Sequence, residues 1–132
     1  LKILNSVNQK ISDLKINVED TLVANLSLKK NNKDTLCSIH LNFFEKPKNR
    51  KILMIGKEGK IEANLNTGIV ELFKKNKKKI FKFKFDKNKI FKKQIEYFIS
   101  CVKNKKRVDK KFDLLNGINS LKLALRLKNE KK

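Results

Sequence analysis

The apolar pattern of this chain changes period once, and that change narrows the folds open to it. From residue 36 to 43, Cys37, Ile39, Leu41 and Phe43 alternate with Leu36, Ser38, His40 and Asn42. From 22 to 28, Leu22, Ala24, Leu26 and Leu28 alternate with Val23, Asn25 and Ser27. A period of two is the mark of a strand with one buried face. Beyond residue 90 the period lengthens. Phe91, Ile95, Phe98 and Val102, with Ile99 beside them, fall at helical spacing, and Leu114, Ile118, Leu121 and Leu125 repeat it. Strands first and helices last predict an α+β fold. The expected form is an open-faced, mainly antiparallel sheet of six or seven strands, with two C-terminal helices packed on one face.

Punctuation between the apolar runs supports that order. Lys30-Asn31-Asn32-Lys33-Asp34 is a turn-forming cluster, so the strands before and after it are expected to form an antiparallel hairpin. Gly56-Lys57-Glu58-Gly59 and Asn66-Thr67-Gly68 predict two further turns. The remaining strands are expected at Ile3 to Gln9, Arg50 to Ile55 (a continuous apolar run, read as a central strand), Lys60 to Leu65, Ile69 to Phe73 and Ile80 to Phe85. Asp86 or Asn88 is placed to cap the first helix and Asp113 the second. The sheet face away from the helices would then carry Thr21, Val23, Asn25, Ser27, Ser38, His40 and Asn42. Such mixed polarity suits contact with another subunit or domain.

Composition excludes several classes. The 132 residues fit one domain spanning 1–132, and no apolar stretch approaches the ~18–20 residues that cross a bilayer. Cys37 and Cys101 are too few for a disulfide scaffold and lack CxxC or CxxH context, which favours a reduced, cytoplasmic setting. The net charge is +21, but all but three of the 34 basic residues are lysine, the exceptions being Arg50, Arg107 and Arg126. Lysine, asparagine and isoleucine share A/T-rich codons, so compositional drift and a solvated surface are the favoured account of the excess, with a partner-binding role as the alternative. A dedicated nucleic-acid reader draws on arginine for bidentate contacts. The first residue is Leu1 and the sole methionine is Met54, so a piece of a longer protein is expected.

Catalytic signatures are missing from the sequence. Gly56, Gly59, Gly68 and Gly117 form no phosphate loop, and there is no HExxH, GxSxG or acidic metal cluster. His40 is the sole histidine and reads as a surface or interface residue. Cys37 and Cys101 read as inert core thiols. Lys79-Ile80-Phe81-Lys82-Phe83-Lys84-Phe85 has the composition of a base-stacking strand, the alternative reading being a basic nucleic-acid-binding module. Its alternation, however, puts Phe81, Phe83 and Phe85 on one face and Lys82 and Lys84 on the other. The aromatics are therefore expected beneath the helices, and nucleic acid is the disfavoured partner.

Val18-Glu19-Asp20-Thr21 opens a long strand, followed by Ser38-Ile39-His40 in a second strand to Phe44. Then come Arg50-Lys51-Ile52-Leu53-Met54-Ile55-Gly56-Lys57-Glu58-Gly59-Lys60-Ile61-Glu62, Ile95-Glu96-Tyr97-Phe98-Ile99, and a last helix with Asn116-Gly117. With these elements in order, the chain resembles the C-terminal domain of the Gfo/Idh/MocA family of NAD(P)-dependent oxidoreductases. No one motif is diagnostic; their order and spacing span nearly the whole chain. The resemblance implies a substrate-binding and oligomerisation domain of a sugar or sugar-nucleotide dehydrogenase, a homo-oligomer through its open sheet face, with a sugar-type substrate. It also implies that the Rossmann domain with the NAD(P)-binding glycines, the catalytic lysine of an EKP motif and a catalytic histidine all lie outside this chain. Glu45-Lys46-Pro47 spells EKP but falls well downstream of the family's motif, so catalysis is not carried onto Lys46. The expected content of this chain is thus no catalytic group, no cofactor and no metal ligand. Pocket walls are expected at Ser38, His40, Asn42, Lys46 and Arg50, chosen for position and polarity.

Overall fold

A computed structural model describes residues 1–84 and 86–129. The fold is α+β. Seven antiparallel strands precede two α-helices, in the order expected from the change of period. The strands are β1 (Lys2–Gln9), β2 (Thr21–Lys30), β3 (Lys33–Asn42), β4 (Lys51–Gly56), β5 (Gly59–Asn64), β6 (Ile69–Lys74) and β7 (Lys77–Lys82). The helices are α1 (Lys87–Lys103) and α2 (Leu114–Asn129). The strands divide between two sheets rather than one, ordered β1-β2-β3 and β4-β5-β6-β7. The break falls in residues 43–50, where Pro47 lacks the N–H that a ladder needs. The chain correspondingly forms two compact units, Leu1–Phe44 with Val108–Lys132, and Glu45–Arg107.

In the first unit the alternation does what it promised. Leu22 lies opposite Leu41, Ala24 opposite Ile39 and Leu26 opposite Cys37, so the inward sets of β2 and β3 share a face. On β1 that face carries Ile3, Ser6 and Asn8. Helix α2 lies against it, and Ala24, Leu26, Ile3 and Leu127 form the buried core, with Leu22, Cys37, Ile39 and Leu123 packed on them. Burying a leucine this fully stabilises by roughly 1.5–3 kcal/mol. Leu41 and Phe43, expected inward, are exposed at 57% and 72%, because they lie at the end of the ladder, past the residues that form the core. The Leu127 carbonyl, one of the last in α2 and without an intrahelical donor, accepts from Ser6 Oγ at 2.9 Å and Asn8 Nδ2 at 2.6 Å. Asp113 Oδ1 accepts from the Asn116 N–H at 2.9 Å and so caps α2 at its other end.

The second unit is a meander whose register comes from its turns. Gly59 has φ +153°, and a Cβ there would lie 1.9 Å from the Phe73 carbonyl oxygen, so the position admits glycine alone. At the next turn Asn64 Oδ1 accepts from the N–H groups of Asn66 and Thr67, and Gly68 takes φ 71°. The third turn, at Lys75 (φ 47°) and Asn76 (φ 58°), folds the lysine run Lys74 to Lys79 back on itself, so β7 begins inside that run rather than at Ile80. β4 is an edge strand, not the central one expected. Its continuous apolar run had implied two buried faces, but Ile52, Leu53, Met54 and Ile55 are all about half exposed or more. Across the sheet, Ile52 and Met54, Ile61 and Ala63, Val70 and Leu72, and Phe81 share one face. Lys51, Lys60, Glu62, Glu71 and Lys78 lie on the other. Asp86 caps α1, accepting from the N–H groups of Asn88 and Lys89. The apolar stripe of that helix is open to solvent, with Phe91, Ile95, Phe98 and Val102 about 60% exposed. Phe81 and Phe83 are likewise exposed, at 46% and 61%, instead of sheltered by helices; Phe85 lies outside the described residues.

Candidate functional site

The face of the first sheet away from α2 gathers most of the polar side chains singled out in the sequence. On β3, Ser38, His40 and Asn42 follow one another at every second position, about 7 Å apart. Their partners on β2 are Asn25, Val23 and Thr21, and beyond these on β1 stand Asn5, Val7 and Gln9. A row of hydrogen bonds crosses all three strands. Ser38 Oγ donates to Asn25 Oδ1 at 2.7 Å, and Asn25 Nδ2 donates to Asn5 Oδ1 at 3.0 Å. This row fixes the orientation of the Asn25 amide, so the face carries defined hydrogen-bonding directions. His40 sits one position along, opposite Val23, and is exposed. A flat face of amides, a hydroxyl and an imidazole can hydrogen-bond to a hydroxyl-rich ligand or to a second polypeptide. It supplies no nucleophile with an adjacent base.

Lys46 and Arg50 do not join this set in one unit. Both belong to Glu45–Arg107, on the segment leading into β4. There the Arg50 carbonyl accepts from the Leu65 N–H at 2.8 Å, and the Lys48 carbonyl accepts from Asn66 Nδ2 at 2.6 Å, tying the segment to the β5–β6 turn. Both side chains are exposed.

Two features escaped the sequence reading. One is Asp20, 2% exposed, at the foot of β2. Burial alone would raise its pKa. Hydrogen bonds from the Ile11 N–H, the Ser12 hydroxyl and N–H, and the Thr21 hydroxyl outweigh that and hold it well below the carboxylate range. The bonds run at 2.5–3.0 Å and anchor the loop after β1. Four donors converge on this carboxylate because the loop of residues 10–20 folds back on itself, and an irregular loop has no period to read. The other is a depression of about 450 Å³ on the charged face of the second sheet, lined by Lys51, Leu53, Glu62, Asn64, Ile69 and Glu71 among others. Glu62 and Glu71 lie directly opposite each other. Lys60 reaches Glu62 at 2.7 Å and Lys78 reaches Glu71 at 2.8 Å, which offsets the like-charge contact. The Lys60 hydrogen bond lowers the Glu62 pKa; burial opposes it, and the charges of Lys60, Lys78 and Lys51 add to it.

Among the described residues no group of three or more His, Cys, Asp or Glu side chains is placed to hold a metal ion. Among the same residues no helix is long and apolar enough to cross a membrane. No protein-family model, curated protein or solved structure matches the chain.

Proposed function

We propose that this chain is the substrate-facing and assembly domain of an NAD(P)-dependent sugar or sugar-nucleotide oxidoreductase of the Gfo/Idh/MocA kind, cytoplasmic and without a catalytic group of its own. The observation that supports it best is the row Asn5–Asn25–Ser38, with His40 beside it, on a sheet face opposite the packed helix. Oriented amides and hydroxyls are the hydrogen-bonding chemistry that sugar hydroxyls take up. In the intact enzyme, hydride passes between a sugar carbon and nicotinamide held by a Rossmann domain elsewhere in the polypeptide. This domain contributes pocket wall through Ser38, His40 and Asn42. A second copy of the chain covers sheet surface that is open in the monomer.

An NMR titration of the chain with sugars and nucleotide sugars tests the reading. Shifts of the Asn25, Ser38 and His40 resonances are expected, reduced in Ser38→Ala and His40→Ala, with none on addition of NADPH. Turnover of NAD(P) by the isolated chain, or silence toward every sugar at millimolar concentration, overturns it. The coding DNA upstream of Leu1 is a second test. A βαβ-encoding stretch with a glycine fingerprint is the expected result, and an in-frame stop codon there contradicts the reading.

A further inference from the structure

The lysine run Lys74 to Lys79 has no role in the proposed function, and its fold brings it against other lysines. The turn at Lys75 and Asn76 sets Lys74 directly opposite Lys77. The β4–β5 turn, carrying Lys57, lies at the same end of the sheet, since Gly59 pairs with Lys74 and Lys60 with Phe73. Between the two turns is an open depression of about 920 Å³, lined by Lys57, Lys60, Lys74, Lys75, Lys77 and Lys78, with Glu58 as its one acid. Like charges directly opposite one another in a ladder are destabilising. A cross-strand pair of this kind with more lysines beside it is relieved by an anion.

The lysines fall into two groups. Lys60 and Lys78 both lie over the Phe73 ring, at 4.5 and 5.2 Å from its centre, and each also holds a glutamate. Lys74 is paired with Glu58 at 2.7 Å. Lys57, Lys75 and Lys77 have no ion-pair partner among the described residues. The depression therefore has positioned walls and three uncompensated ammonium groups on its rim.

We propose that this hairpin end binds a flexible chain of phosphate groups without reading its sequence. Lysine meets phosphate as a point charge, and the depression holds no arginine for bidentate base contacts. The Phe73 ring already carries two ammonium groups and is no platform for base stacking. The two turns are two strand spacings apart, about 10 Å, which admits one extended chain and excludes a double helix. Single-stranded nucleic acid and inorganic polyphosphate share this chemistry. The site is distinct from the Phe81–Phe85 strand considered above, uses no stacking, and does not rest on the oxidoreductase reading.

The β2–β3 hairpin supplies an internal control. It also ends on opposed lysines, Lys30 and Lys33, and belongs to the other sheet. Binding of fluorescein-labelled oligo(dT) is measured by anisotropy over a salt series for the wild-type chain and two variants of equal charge. One variant is Lys57→Gln/Lys75→Asn/Lys77→Gln; the other is Lys29→Gln/Lys30→Gln/Lys33→Gln. Circular dichroism confirms that both fold. With three phosphates neutralised, log K against log salt should slope at about −2 for the wild type. The first variant should lose roughly tenfold or more at low salt and most of that slope, and the second should stay within about twofold. Displacement of oligo(dT) by inorganic polyphosphate at equal phosphate concentration assigns the site to phosphates alone, and failure to displace it assigns the site to a polynucleotide. Equal losses in both variants, duplex binding as tight as single-strand binding, or no binding at low salt would overturn the proposal.

Discussion

The two sheets of this protein are built from the same kind of strand and stabilised in different ways. In the first, α2 covers one face, and Ala24, Leu26 and Leu127 are almost wholly removed from water. In the second, no residue of β4 to β7 is buried, and the strands are aligned by ladders and by three turns with tightly specified backbone. Pairing and turn chemistry suffice to set register, whereas stability on the scale of a domain needs apolar area taken from water.

Substitutions that separate these two modes sharpen the contrast. The largest effect is expected for Gly59→Ala, where the new methyl meets the Phe73 carbonyl and the backbone is left-handed. A loss of roughly 3–4 kcal/mol in urea unfolding is predicted, through the turn alone and with no core contact removed. Leu26→Ala, at 2% exposure, should cost about 3 kcal/mol, while Leu53→Ala on the second sheet, at 55%, should cost within about 0.5 kcal/mol. Equal costs for the two leucines would break the comparison. Ser6→Ala removes one of two donors to the Leu127 carbonyl and should cost about 1 kcal/mol. The smallest effect has the opposite sign. Gly117→Ala places a methyl in open space on α2 and should stabilise by about 0.5–1 kcal/mol.

Acid distinguishes the regions as well. The Asp20 carboxyl is lowered in the folded state from its ordinary value of about 3.8. Its contribution is therefore complete above that value and is lost as pH falls through the folded pKa. The wild-type chain should lose stability progressively below about pH 4, and Asp20→Asn should show a flatter acid limb with lower stability at neutral pH. Glu62, lowered chiefly by its bond to Lys60, is about 42% exposed, so Glu62→Gln should change the acid limb far less.

How much of this was legible in the residues follows from the range of the forces involved. The alternation of Leu22, Ala24 and Leu26 against Cys37 and Ile39 reports a local period, and it located both strands, their hairpin and their shared face. The caps at Asp86 and Asp113 were legible for the same reason. The division into two sheets was not, because it depends on which strands find each other across residues 43–50. The apolar run Arg50 to Ile55 was mistaken for a central strand because apolarity marks what could be buried, and β4 keeps its side chains half exposed. Of the candidate pocket residues, Ser38, His40 and Asn42 were grouped correctly by period. Lys46 and Arg50, chosen with them for position and polarity, fall in the other compact unit. Asp20 and the lysine-lined depression arise where loops and turns fold back on neighbouring segments, and they left no periodic trace.

Residue-resolved amide hydrogen exchange in dilute solution tests the contrast most directly. Protection in β2, at Ala24 and Leu26, should exceed that in β5 and β6, at Ile61 and Leu72, by about a hundredfold or more. Equal protection in the two sheets, or slower exchange in the second, would contradict the claim that the first sheet carries a buried core and the second does not.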